Sequence, residues 1–124
     1  MTISTLYTIH GHNDAKIARV MGEMQSLGAP VVRVVDCGDH YMALEGVHRL
    51  EAAARLGIAP NLIVLDQDEL VAADSLDWQD LQSGESYAAG ELAGEINGDN
   101  RGGYRIDDGL LTLVFNGRFV PCEG

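Results

Sequence analysis

The residues best suited to chemistry lie between Glu45 and Gly57, which read Glu-Gly-Val-His-Arg-Leu-Glu-Ala-Ala-Ala-Arg-Leu-Gly. A glycine followed at once by a helix-forming run leaves the first backbone N–H groups without internal partners, and the aligned peptide dipoles place about half a positive charge there. Such a start suits phosphate. Gly46 lets a ligand approach the main chain closely, and Arg49 adds a planar fork of donors that can grip two oxygens at once. His48 can donate to a further oxygen. The expected binding set is therefore Gly46, Val47, His48 and Arg49. Spacing alone leaves a structural alternative open, in which Arg49 pairs with Glu45 or Asp36. Glu45 stands beside the expected phosphates; there it can hold Mg²⁺ that bridges phosphate oxygens, or be a surface carboxylate without a role.

The remaining reactive residue types form weaker patterns. His10 and His12 offer two imidazoles, but no cysteine or further histidine lies close by to complete a metal site. His40, at the start of a strand, is expected to be structural. Asp66-Gln-Asp-Glu69 reads as N-caps and first-turn acids for a following helix. Cys37 and Cys122 match neither a disulfide framework nor a zinc spacing and are expected to be free thiols.

The elements that position these residues follow from pattern. Thr2 to Ile9 alternates loosely, as an edge strand does. Asp14 can cap a helix in which Ile17, Val20, Met21, Met24 and Leu27 form one apolar face, ended by Gly28. Val31 to Val35 is β-branched and reads as an inner strand, with Arg33 opposite to Val32 and Val34. A turn over Asp36 to Asp39 leads to a strand from His40 to Leu44. In the helix that follows, Val47, Leu50 and Ala54 share the inward side, while Glu51 and Arg55 form a structural i,i+4 pair. Leu62 to Leu65 is a further strand. Beyond Asp66, short helical turns are expected at 68–73 and 76–81, the second anchored by Trp78. Ser86 caps a helix to about Asn97, with Ala89, Leu92, Ala93 and Ile96 as its stripe. Gly90 and Gly94 either weaken that helix or allow close packing. Asn116-Gly117 gives the strongest hairpin signal, between Leu110–Phe115 and Arg118–Val120. That hairpin either joins the main sheet or mediates self-association.

The order of strand, turn, strand, glycine and helix over residues 3 to 66 resembles the ParB/sulfiredoxin superfamily. The matching positions are Pro30, Val31, Tyr41, Gly46, His48, Arg49, Ala52, Ala53, Leu56 and Gly57. The resemblance implies an α+β fold in which a mixed sheet packs with helices, here followed over 67–124 by an acidic helical segment and hairpin of the same unit. It also implies that the Gly46–Arg49 turn contacts the triphosphate of CTP or ATP, with Mg²⁺ accompanying the nucleotide, and it places the segment holding His12 and Asn13 near the same ligand. Some relatives use an acidic residue near this turn as general base, which makes Glu45 the candidate catalytic residue of a slow NTPase or phosphotransferase. Sulfiredoxin chemistry is excluded, because its cysteine position is Val47.

Charge narrows the partners. The chain of 124 residues carries a formal net charge of −11, of which −1 falls within residues 1–65 and −10 within 66–108. A field of that sign repels nucleic acid, so DNA binding and nuclease activity are not expected. The acidic half reads as a solvating surface or as a dock for a basic protein, which would make the chain an interaction module that keeps the fold without the chemistry. No apolar run approaches the roughly 20 residues that cross a bilayer, and the N-terminus lacks a signal-peptide pattern, so the expected location is the cytoplasm.

Overall fold

In a computed structural model, which describes residues 3–8, 14–76, 81–94 and 102–116, the β-branched run after Pro30 becomes β2 (Val31–Asp36), flanked on both sides by other strands. The six-stranded sheet has the order β4-β2-β3-β1-β7-β8, with β1 Thr5–Thr8, β3 Tyr41–Ala43, β4 Asn61–Leu65, β7 Gly102–Asp107 and β8 Leu110–Asn116. Pairing is mixed: β2 runs parallel to β4 and antiparallel to β3, while β1 runs parallel to β3 and antiparallel to β7. A second, two-stranded antiparallel sheet joins β5 (Leu70–Ala72) to β6 (Ser86–Ala88). With three α-helices among the described residues, α1 Asp14–Leu27, α2 Val47–Leu56 and α3 Ala89–Gly94, the class is α+β.

Successive side chains of a strand point to opposite faces, and the core divides accordingly. Leu6, Val32, Val34, Ala43, Tyr104 and Leu111 pack with Leu50 of α2. On the other face Val35, Met42, Leu44 and Leu65 meet Val71, Leu76, Ala89, Leu92 and Ala93. The second cluster draws on both halves of the sequence. A third joins Met24 of α1 to Ala52 and Ala53 of α2, so α2 is covered on two sides; its buried set is Leu50 to Ala53, while Val47 and Ala54 of the expected stripe are only half-buried.

Several sequence expectations are corrected. The first strand is not an edge: β7, about a hundred residues later, pairs along its free side in the register Thr5↔Arg105 to Thr8↔Gly102. A hairpin that the sequence reading missed precedes the expected Asn116-Gly117 turn, whose second residue and following strand lie outside the described residues. β8 pairs back onto β7 through Asp108 (φ 53°) and Gly109 (φ 80°), both left-handed as a tight antiparallel turn requires, and the pair adds to the main sheet. The helical turn expected over 68–73 is largely strand, because Leu70–Ala72 pairs with Ser86–Ala88; the same pairing puts Ser86 in a strand, and the helix begins at Ala89. Asp66–Glu69 forms a turn leading into β5 rather than a helix, with Glu69 N–H donating to Asp66 O. Leu27 ends α1 exposed at 83%, outside the apolar face that Ile17 and Met24 bury. Gly90 serves close packing: a Cβ there would lie 2.7 Å from Gln67 Cβ, and its N–H donates to Gln67 O at 2.8 Å. Trp78, Ile96, His10, His12, Asn13, Cys122 and the strand expected over 118–120 lie outside the described residues. Among the described residues, no helix is long and apolar enough to cross a membrane.

Candidate anion-binding site

The turn from β3 into α2 is built as its sequence implies. Gly46 is the N-cap residue of α2 and adopts φ 73°, ψ 27°, a left-handed conformation that costs a residue with a Cβ about 1–2 kcal/mol. Gly46 has no side chain with which to cap this end, and no acidic residue lies in the first turn. Leu50 N–H donates to Gly46 O at 2.8 Å and closes the first helical bond. At the other end Gly57 is again left-handed, and its N–H and that of Ile58 return to Ala54 O and Ala53 O, satisfying the last carbonyls. The helix is thus closed at its C-terminus, while its N-cap residue contributes no side chain.

Arg49 folds back over Gly46. A Cβ at position 46 would stand 3.2 Å from its Nη2 and 3.4 Å from its Nε, so the glycine leaves the room that the guanidinium occupies. Nη1 donates to Val31 O at 3.2 Å. The guanidinium is half-buried, and it lines a surface cleft formed with the last turns of α1. The ion pair that spacing left open is made by a different arginine. Arg33 grips Glu45 through Nε to Oε2 at 2.8 Å and Nη2 to Oε1 at 2.9 Å, and its backbone N–H adds a third contact to Oε2 at 3.2 Å. The same guanidinium donates to Ser75 Oγ at 3.0 Å and Ser75 O at 3.1 Å.

These contacts set the charge state of Glu45. The hydrogen bond from Arg33 holds its carboxyl below the ordinary range; partial burial opposes this, and the positive charges of Arg33 and Arg49 lower it further. Arg33 is raised in turn, chiefly by the same hydrogen bond. A carboxylate with lowered pKa and both oxygens engaged is a weak general base and a poor metal ligand. Around the α2 N-terminus, two guanidinium groups therefore act on one neutralised carboxylate.

The expected set is brought together in part. Gly46, Val47, His48 and Arg49 form one turn as a matter of sequence, and all four are half-buried rather than sealed. Glu45 adjoins them but faces Arg33. His40 lies away from the turn, with Nδ1 2.6 Å from Asp39 Oδ1 and its ring edge-on to Tyr7 at 5.0 Å. The Cys37 thiol is raised by burial and by Asp36 and Asp39, which disfavours its thiolate, and it is a free cysteine. Among the described residues, no group of three or more His, Cys, Asp or Glu side chains could hold a metal ion.

Two arrangements escaped sequence reading. Arg33 had a usable signal, being a lone charge inside a β-branched strand, where a cation requires a partner. The other had none. Glu51, only 3% exposed, accepts from Tyr104 OH at 2.8 Å and from Arg55 Nε at 2.7 Å, so the expected i,i+4 pair is half of a buried network that ties α2 to β7. The two partners stand 53 positions apart. No protein-family model, no curated protein and no solved structure matches the chain.

Proposed function

We infer that this is a small nucleotide-binding protein of ParB/sulfiredoxin type, which holds the phosphates of CTP or ATP at the turn from Gly46 to Arg49. The observation that carries this reading is the start of α2: its N-cap is a left-handed glycine, no acid stands in its first turn, and Arg49 lies over Gly46 beside it. Glu45, the carboxylate that directly precedes the turn, is neutralised by Arg33. The same pairing argues for binding without phosphoryl transfer through Glu45. Mg²⁺ would arrive on the nucleotide's own phosphates, since Glu45 has no oxygen to spare for it.

Isothermal titration of each of the four NTPs with Mg²⁺ tests the proposal. Saturable heat with at least one of them, lost in Arg49→Ala, is the expected result. Absence of both heat and thermal shift at millimolar nucleotide sinks it.

A further inference from the structure

A surface cleft of about 150 Å³ opens between the C-terminal half of α1 and the first turn of α2. Val20, Met24, Leu27 and Pro30 give it an apolar wall, Glu23 lines it from α1, and Arg49 lines it from α2. A third charge adds to these two. α1 ends at Leu27 with no basic residue in its last turn, and Leu27, Gly28 and Ala29 bring that negative helix end to the cleft. The lining therefore offers Glu23 and a helix end to a cation, Arg49 to an anion, and an apolar wall to a hydrocarbon group.

We propose that this cleft binds a free α-amino acid with a branched or single-ring apolar side chain. The carboxylate meets Arg49, whose planar fork suits two carboxylate oxygens, and the ammonium meets Glu23 and the end of α1. The side chain lies against Met24, Leu27 and Pro30. Size sets the class, since a cavity of about 150 Å³ accommodates a benzene-sized group. An anion lacking the ammonium would face Glu23 uncompensated, and an amine lacking the carboxylate would face Arg49.

The site shares Arg49 with the nucleotide reading but none of its other groups, so the two are separable through Glu23. This residue is exposed on α1, and Glu23→Gln does not threaten the fold. Isothermal titration with L-leucine, leucinamide and isocaproate, on wild type and Glu23→Gln, is the test. L-Leucine is expected to bind saturably, both analogues at least about threefold to tenfold more weakly, and Glu23→Gln to lose a similar factor for L-leucine and leucinamide, which carry the ammonium, but not for isocaproate. Nucleotide heats should be the same in both proteins. No heat from L-leucine at millimolar concentration, isocaproate binding as tightly as L-leucine, or indifference to Glu23→Gln would each overturn the proposal. Loss of nucleotide heat in Glu23→Gln, with none from L-leucine, would overturn it too and give the cleft to the nucleotide.

Discussion

Arg33 holds Glu45 by both carboxylate oxygens, at 2.8 and 2.9 Å, and fixes the residue that precedes the Gly46 turn. The pair is about three-quarters buried on each side, so solvent screens it only in part. Because the folded pKa of Glu45 is lowered from the ordinary value of 4.5, its contribution to stability is fully present above that pH and is lost as pH falls through the lower folded value. Glu45→Gln should cost about 2 kcal/mol at neutral pH, as expected for a charge-assisted hydrogen bond. It should also remove the wild type's extra loss of stability in acid. Urea unfolding at neutral pH and at a series of values below 4.5 checks both parts.

The Tyr104–Glu51 contact makes a separate prediction. Tyr104 is 1% exposed, and its phenol is raised above the ordinary value of 10.0 by burial first and by the hydrogen bond and charge of Glu51 second. A raised acid stabilises the fold below its unfolded pKa and ceases to do so as pH climbs past it. Folded wild type and Tyr104→Phe should therefore form the same amount of phenolate around pH 10, and the wild type should gain the extra phenolate only on unfolding in base. Tyr104→Phe should cost about 2 kcal/mol at neutral pH, since the buried carboxylate loses a donor. Glu51→Ala should cost about 3 kcal/mol, because it strands a buried hydroxyl and breaks a half-buried ion pair together. A double-mutant cycle with Arg55→Ala apportions the network.

Gly46 and Gly57 share nearly the same backbone conformation but not the same surroundings. A Cβ at 57 meets nothing within 4 Å, whereas one at 46 lies 3.0 Å from Cγ2 of the fully buried Val32. Gly57→Ala should thus cost only the left-handed penalty of about 1–2 kcal/mol. Gly46→Ala should cost about 1 kcal/mol more, since Val32 has no room to yield, and should displace the Arg49 guanidinium. Equal losses for the two variants in thermal unfolding would show that Val32 can move.

Arg49 should matter more for ligands than for stability. Its recorded hydrogen bond is a single 3.2 Å contact to Val31 O. Arg49→Ala should cost about 1 kcal/mol or less. Arg49→Lys, which keeps the charge but loses the planar fork, should retain only weakened nucleotide binding. Calorimetry beside urea unfolding separates the two effects.

Much of the anion-site reading was already present in sixty-odd consecutive residues. The β-branched run after Pro30, the glycines at 46 and 57 and the helical spacing between them act locally, through backbone preference and periodicity, and such causes are written in neighbouring residues. Asp108-Gly109, the turn that folds β8 back onto β7, is a local signal of the same kind as Asn116-Gly117 and was equally legible. Pairing with residues brought together only by the completed chain made the other decisions. The position of β1 inside the sheet depends on β7, the strand identity of Leu70–Ala72 depends on Ser86–Ala88, and the burial of Glu51 depends on Tyr104. Glu45 shows the same division at the site itself. Its place beside the turn was legible, but its engagement by Arg33 is a contact across two paired strands, which only the folded register brings within bonding distance.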